Sequence, residues 1–225
     1  MWRSRSALPS SSIPKVHVSM AKQPTSIWRT HSAWAGIANT GSFGASGAPG
    51  ITVLTLEGLG FASFTAKPNS ARLDRATKHL FDLDLPREPS IILSDTHGFV
   101  WSGPDRWLLL ARNRACFPEL LASLSTDAAV SDQSHAWAAL RLSGKRGLEV
   151  LAKGSMVDVH PSVFPVGAVA MTSFAHIGVQ FWRVEDGPDG AVFEILVARS
   201  LTRSFWSWFS ASAAEFGYRV TIGTS

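Results

Sequence analysis

A single cysteine, Cys116, stands among the 225 residues, so no intramolecular disulfide can form. Such a composition is typical of a reducing compartment, and we expect a cytoplasmic protein. No run of apolar residues approaches the roughly 20 that a membrane-spanning helix needs. The opening residues also lack the apolar stretch of a secretory signal peptide. A membrane partner is therefore not expected.

Acidic residues are absent before Glu57, whereas five of the 21 basic residues lie there. From Glu57 onward, 16 basic residues stand against 17 acidic ones, so the formal net charge of +4 comes from the N-terminal segment. A nucleic-acid-binding domain is expected to carry a clustered basic face. The near-neutral remainder argues against nucleic acid as a partner.

Residues 1–50 are rich in Ser, Gly, Pro and Ala, and we expect a mostly disordered tail there, because so few apolar side chains cannot offset the entropy of ordering. The Arg- and Ser-rich start has the character of a mitochondrial transit peptide. The alternative, which we prefer, is that translation begins at Met20. The sequence leaves both open.

From Ile51 onward the pattern predicts an α+β domain built as two similar halves, 51–126 and 127–225. In each half, segments with the period-2 alternation of strands and segments with helical spacing follow the order strand, strand, helix, strand, strand, helix. Ser70 is expected to cap a helix whose Leu73, Ala76, Leu80 and Phe81 face inward. Thr172–Val184 is expected to be one long strand. The repeat predicts two packed α+β units.

The clearest pattern covers Ala191–Gly217, an apolar strand interrupted only by Glu194 and followed directly by an amphipathic helix. Ser200 is placed as the N-cap, and Gly217 as the residue that ends the helix in a left-handed conformation. Helical spacing predicts one buried stripe, formed by Leu201, Phe205, Trp208, Phe209 and Phe216.

Trp206 lies about 100° around the helix from Phe205, off this stripe. Nine tryptophans in a chain with only 17% charged residues suggest that some aromatic side chains contact a partner. We therefore predict that Trp206 is substantially exposed in the isolated chain and lies at a subunit interface.

Asp132, Ser134 and His135 together suggest a hydrolytic triad. Adjacent strand residues point to opposite faces, however, so Ser134 and His135 are expected to diverge. There is also no G-x-S-x-G motif. A polar turn that leads into a strand is the better interpretation, and no catalytic residue is predicted here.

Asp158, His160 and His176 have metal-ligand side chains, but their spacing matches no zinc signature. Cys116 is predicted at a helix start, where a thiolate is favoured, yet no histidine is near it in sequence. No phosphate-binding glycine motif occurs either. The residues alone thus predict no catalytic, cofactor-binding or metal site in this chain.

Several segments, in order and spacing, resemble the gamma subunit of heterotetrameric sarcosine oxidase. The resemblance begins at His31-Ser-Ala-Trp-Ala-Gly-Ile37 and covers roughly residues 31–220. The other matching segments are Asp84–Pro86, Trp101–Trp107, Val130–His135, Leu140–Gly144, Leu151–Gly154, Asp158–Pro161 with Phe164-Pro165, and Ala198–Ser200 followed by Trp206–Trp208. One departure is Lys153-Gly154-Ser155, where the family often has Lys-Gly-Cys.

The resemblance implies a non-catalytic subunit of a complex that oxidises sarcosine, with alpha, beta and delta subunits as partners. It implies FAD and FMN in the beta subunit, and NAD and a tetrahydrofolate site in the alpha subunit. The gamma fold is similar to the folate-binding domain of aminomethyltransferases. A stand-alone folate-binding protein is therefore the alternative, with Arg112, Lys153 and Arg183 as candidate donors to the folate anion.

Overall fold

Twelve strands form two sheets among residues 31–67 and 70–223, the part of the chain that the computed structural model describes. The seven-stranded sheet contains β1 (Gly41–Phe43), β2 (Ile51–Leu56), β8 (Trp137–Ser143), β9 (Val169–Phe174), β10 (Ile177–Gly187), β11 (Gly190–Ala198) and β12 (Tyr218–Ile222). The five-stranded sheet contains β3 (Gly60–Ala66), β4 (Ile91–Leu93), β5 (His97–Gly103), β6 (Arg106–Ala111) and β7 (Ala128–Asp132). The predicted α+β class is confirmed.

Four α-helices accompany the sheets: α1 (Ser70–Phe81), α2 (Phe117–Leu124), α3 (Gly147–Ala152) and α4 (Thr202–Ala213). Short 3-10 turns flank α4 on both sides. None of the helices in the described ranges has the length and apolar character that crossing a membrane requires.

The two predicted halves are not separate units, because each sheet takes a strand from the other half. The seven-stranded sheet has the order β1-β12-β2-β8-β11-β10-β9, so β2 of the first half lies inside it. The five-stranded sheet has the order β4-β5-β6-β3-β7 and ends with β7 of the second half. Each predicted half therefore completes its sheet only by exchanging a strand with the other.

Buried apolar side chains form three separate cores. One core lies between the seven-stranded sheet and helices α3 and α4, and it includes Phe205 and Phe209. A second lies between the five-stranded sheet and helices α1 and α2, and it includes Leu73. The third, with Trp182 and Leu196, lies between the two sheets. The order of layers is thus helices, sheet, sheet, helices.

The terminal strand and helix were largely predicted. All of Ala191–Val197 in β11 is buried, because the strand is covered on both faces and its apolar run is continuous. Phe205 and Phe209 are fully buried, and Gly217 has the predicted positive φ of 64°. Three details differ. Ser200 lies inside the 3-10 turn and caps nothing, and Leu201 is exposed. Trp208 and Phe216 are only partly buried.

The long strand predicted over Thr172–Val184 is a hairpin of β9 and β10. Ala175 and His176 form its two-residue turn and have positive φ values of 47° and 69°. This conformation at both positions is typical of a type I′ turn, which usually contains Asn or Gly. Ala-His carries no such signal, so the reversal was missed.

On the other side of the molecule, β5, β6 and α2 follow one another in the strand, strand, helix order predicted for the end of the first half. Helix α1 buries Leu73 and Phe81 as predicted, but Leu80 is exposed. Thr77 is fully buried instead, because its hydroxyl donates to the carbonyl of Asp74 and needs no outside partner.

The predicted disordered tail is wrong for residues 32–50, whereas residues 1–30 lie outside the described part of the chain. Trp34 is 1% exposed and packs edge-on against Phe205 and Trp206 of α4, with ring centroids 6.4 Å and 5.9 Å away. Its Nε1 donates to the carbonyl of Ala139 at 3.0 Å. One large side chain thus anchors a segment whose average composition is polar.

Glycine in this segment permits close packing. Gly44 has φ of 80°, and a Cβ there would lie 2.3 Å from the carbonyl oxygen of Ala214. The next residue, Ala45, donates its N–H to that same carbonyl. Just before it, β1 pairs with β12. The Gly-rich composition therefore reflects tight contact with the end of α4.

Trp34→Ala is expected to destabilise the chain by about 3–5 kcal/mol, because it leaves a cavity under α4 and removes the bond to Ala139. Urea unfolding followed by circular dichroism measures the change. Phe43→Ala is the control, since Phe43 is 39% exposed in β1 of the same segment. Equal losses of stability in the two variants would show that Trp34 does not anchor the segment.

Candidate functional site

A group of charged side chains between the two sheets is centred on Glu194, which is 1% exposed. Register places Arg141 of β8 on one side of it and Trp182 of β10 on the other. Arg112, directly after β6, reaches it from the five-stranded sheet. We call these four residues, Arg112, Arg141, Trp182 and Glu194, the Glu194 cluster.

Both oxygens of the Glu194 carboxylate accept hydrogen bonds from donors of the cluster. Oε1 accepts from Arg112 Nη1 at 2.9 Å and from Arg141 Nη2 at 2.7 Å. Oε2 accepts from Trp182 Nε1 at 3.0 Å. A general base needs an oxygen free to face its substrate. The geometry therefore supports a structural role for Glu194, which ties one sheet to the other.

A cavity of about 570 Å³ adjoins the cluster and is lined in part by Arg112 and Arg141. Glu57 and Asp95 also line it, so its wall carries charges of both signs. Glu57 already accepts a hydrogen bond from Ser32 Oγ at 2.5 Å. Such mixed, partly paired charge does not select a strongly anionic ligand.

The serine of the rejected triad is structural. Ser134 Oγ donates to the carbonyl of Phe61 at 3.3 Å and accepts from its N–H at 3.0 Å, and Ser134 is 5% exposed. Asp132 accepts from the N–H of Ser134. His135 Nε2 lies 3.3 Å from Arg114 Nη1 instead of facing the serine. Asp132 ends β7, and Ser134 and His135 lie in the turn that leads to β8.

The metal-ligand side chains are not brought together. Asp158 accepts from the N–H of His160, and His160 Nδ1 lies 2.7 Å from Ser162 Oγ. His176 belongs to the hairpin turn. Within residues 31–67 and 70–223, no group of three or more His, Cys, Asp or Glu side chains is placed to hold a metal ion.

Cys116 is exposed and has φ of 55° at the start of α2. Its side chain makes no capping hydrogen bond to the helix. A nearby base would be needed to mark it as a nucleophile. Neither its exposure nor its position at the start of α2 indicates that the thiol reacts.

The three basic residues considered for a folate anion lie apart. Arg112 belongs to the Glu194 cluster. Lys153 pairs with Glu215 and donates to the carbonyl of Ser212, at the helical layer of α3 and α4. Arg183 is buried, pairs with Asp186 and donates to the carbonyl of Phe164. Each of the three positive charges is thus paired with a different carboxylate, in a different part of the structure.

Trp206 is only partly buried, but it is less exposed than predicted. Its ring contacts Trp34, Phe209 and Tyr218, with centroids 5.9 Å, 5.4 Å and 6.4 Å away. The sequence interpretation failed here because it left Trp34 in a disordered tail. The predicted interface role of the remaining exposed edge stays a prediction.

Sequence reasoning also missed the Glu194 cluster. The available signal was a single carboxylate in the otherwise apolar strand β11, which demands a buried partner. Arg141 and Arg112 both follow apolar runs, but only the pairing of β8 with β11 and the contact between the sheets shows that they meet at Glu194.

Comparisons with known proteins agree on one relationship. The family model described as sarcosine oxidase, gamma subunit family, matches residues 66–215. A chain of the heterotetrameric sarcosine oxidase from Corynebacterium sp. U-96, solved in complex with pyrrole 2-carboxylate, is 27% identical, with a TM-score of 0.69. The match covers 83% of the present chain and 96% of the Corynebacterium chain. No curated protein sequence matches.

A more distant match shows the fold alone. The glycine cleavage system aminomethyltransferase T from Bartonella henselae is 12% identical, with a TM-score of 0.54. This match covers 77% of the present chain but only 48% of the aminomethyltransferase. The predicted likeness to the aminomethyltransferase fold is confirmed.

Glu194→Gln is expected to lower the free energy of unfolding by about 3–5 kcal/mol, because the two arginines lose the buried charge that neutralises them. Chemical denaturation gives the value. Glu185→Gln makes the same change at an exposed position of β10 and serves as the control. If both variants unfold within about 0.5 kcal/mol of the parent, the cluster does not hold the sheets together.

Proposed function

Because the chain belongs to the sarcosine oxidase gamma subunit family, we propose that it acts as the non-catalytic gamma subunit of a heterotetrameric sarcosine oxidase. The observation that carries the proposal is the match to nearly the whole of one chain of such an enzyme. In the proposed complex, sarcosine is oxidised and demethylated to glycine. Tetrahydrofolate accepts the one-carbon unit, and oxygen is reduced to hydrogen peroxide.

The chemistry of this reaction is assigned to the other subunits. We expect FAD and FMN in a beta subunit, NAD and the tetrahydrofolate site in an alpha subunit, and a small delta subunit as the fourth partner. The proposal is supported by the way the present chain uses its polar side chains. Glu194 and Ser134 are committed to structural hydrogen bonds.

The role that remains for the chain is assembly and stability of the complex. Two sheets with helices on both outer sides provide a rigid body, and the paired Glu194 cluster fixes the sheets against each other. A cytoplasmic location is part of the proposal, in keeping with the single cysteine.

A stand-alone folate-binding protein is the alternative. Its support is the aminomethyltransferase fold, at an identity that shows the fold alone. The candidate anion donors do not converge, since Arg112, Lys153 and Arg183 each bind a different acidic partner. The present geometry therefore favours the subunit role.

Co-expression of the chain with alpha, beta and delta subunits is expected to yield one flavin-containing complex that forms hydrogen peroxide from sarcosine. Affinity purification through a tag on this chain, followed by size-exclusion chromatography, measures assembly. Omission of the chain is the control and should reduce the yield of assembled enzyme.

A stable monomer that never co-purifies with a flavoprotein would contradict the proposal. Calorimetric titration of the isolated chain with tetrahydrofolate separates the alternative function. The subunit role predicts no heat of binding at millimolar folate, whereas a folate-binding protein gives a saturable signal.

Trp206→Ala is expected to weaken assembly by about 2 kcal/mol if the exposed edge of the ring lies at an interface. Because Trp206 also packs on Trp34, some loss of stability in the isolated chain accompanies the change. Affinity is therefore measured on folded protein, with surface plasmon resonance against the remaining subunits. An affinity equal to that of the parent would assign Trp206 to the core alone.

A further inference from the structure

Exposed apolar side chains are concentrated in one part of the described chain. The described ranges contain seven exposed large hydrophobic residues, and four of them fall between residues 156 and 171. These four are Met156, Val163, Val166 and Met171. Asp158 and His160 are the only ionisable residues in this segment. Exposed apolar patches often mark protein–protein contacts, and charged residues are depleted in the core of such interfaces.

The two methionines of this segment lie on the same side of the seven-stranded sheet. Met171 and Ser173 are two residues apart in β9, so their side chains share a face. Ser173 Oγ donates to Met156 Sδ at 3.0 Å, which places Met156 on that face. Met156 is 76% exposed and Met171 61%. We call the surface formed by Met156, Met171 and Ser173 the methionine face.

The backbone beside this face is also uncovered. Among the described strands, β9 lies at the edge of its sheet and pairs with β10 alone. In a hairpin with a two-residue turn, the residues that flank the turn, here Phe174 and Ile177, form a hydrogen-bonded pair. Hydrogen-bonded and non-hydrogen-bonded pairs then alternate along the two strands, so Met171 and Gln180 form a non-hydrogen-bonded pair. The N–H and C=O of Met171 therefore point away from β10. Isolated bridges cover the edge at Ala168 and Phe174, on both sides of Met171. Exposed edge groups of this kind are normally covered.

A cavity of about 360 Å³ opens beside Met171, between the two sheets. Gln180 of β10, which is opposite Met171 in the register, lines it and is 3% exposed. The Gln180 amide donates to Ser102 Oγ at 3.2 Å. The cavity therefore has a polar wall held in place by a bond between the sheets.

Trp137 also lines this cavity, and its Nε1 is buried without a hydrogen-bond partner in the described ranges. Two other buried side-chain atoms there lack a partner, Arg141 Nε and Arg183 Nε, but other nitrogens of both guanidinium groups are bonded. Trp137 has a single polar atom, and that atom is unpaired. A buried donor of this kind is stabilised when an acceptor reaches it.

The lining residues define the side chain that would fit. Arg106 is the only ionisable residue of the wall, so the cavity favours a negative group. Trp137 Nε1 requires a hydrogen-bond acceptor. An aspartate or glutamate satisfies both requirements, and Met171, which also lines the cavity, requires an apolar neighbour.

We propose that the methionine face is a subunit interface, on which another subunit of the oxidase lays an apolar segment and inserts an acidic side chain into the cavity at Trp137. This inference rests on the proposed function, because it takes the partner from the same complex. The methionines are suited to the contact, since their flexible side chains adapt to a partner surface. The inserted carboxylate lies near Arg106, and it accepts from Trp137 Nε1 once the partly buried indole ring turns toward the cavity.

Met171→Asp is expected to weaken binding to the remaining subunits at least about 30-fold, because it places a charge in an apolar contact and repels the inserted carboxylate. Trp137→Phe, which removes the indole donor, is expected to weaken binding about fivefold. Both affinities are measured by surface plasmon resonance on folded chains, with melting curves recorded beforehand.

Leu80→Asp is the matched control, because Leu80 is exposed on α1, beyond the far face of the five-stranded sheet. It should bind like the parent chain. Met156→Asp provides a second test at a loop position if Met171→Asp lowers the melting temperature.

The results separate this inference from the proposed function. If the parent chain binds no oxidase subunit, both are overturned. If the parent binds and the aspartate variants at Met171 and Met156 bind as tightly as Leu80→Asp, the subunit role stands and the methionine face is not the interface. Loss of binding confined to the variants of this face supports the inference.

Discussion

The buried charge of Glu194 is the constraint on which the arrangement of the two sheets depends. An ionised carboxylate between sheets is tolerated only when its oxygens are paired. Arg141 and Trp182 supply two donors from the strands on either side, but the third comes from Arg112 in the other sheet. Sliding one sheet over the other would break this pairing and expose the apolar side chains between them.

Other buried polar side chains also form hydrogen bonds that hold parts of the structure together. Ser134 joins the loop before β8 to β3, and Gln180 joins the two sheets at Ser102. Side chains that resemble catalytic groups in the sequence are thus used to fix the packing. Among the described residues, the exposed side chains of Met156 and Met171 and the edge strand β9 form a surface that suits contact with another protein.

The sequence predicted elements whose signal is local, and it failed where a distant residue decides. The continuous apolar run of β11 and the spacing of Phe205 and Phe209 predicted the terminal strand and helix. The anchoring of Trp34 was invisible, because it depends on α4, about 170 residues away along the chain. The exchange of β2 and β7 between the halves depends likewise on pairing that no local pattern records.

The candidate site follows the same rule. A lone Glu194 in an apolar strand indicated that a partner must exist, but not which arginine it would be. The family was recognisable because many short motifs keep their order and spacing, although no one of them identifies a function. The exposure of Trp206 was overestimated for the same reason that the tail was misjudged.

In the proposed function, this chain contributes structure and no reacting group to the oxidase. The most direct test is the turnover number per flavin of the assembled oxidase when the chain carries His135→Ala, His160→Ala and Cys116→Ser together. These positions supply exposed candidate bases and the one thiol. The account predicts an unchanged turnover number and an unchanged KM for sarcosine. A tenfold fall in turnover, in a complex that assembles and melts like the parent, would contradict it.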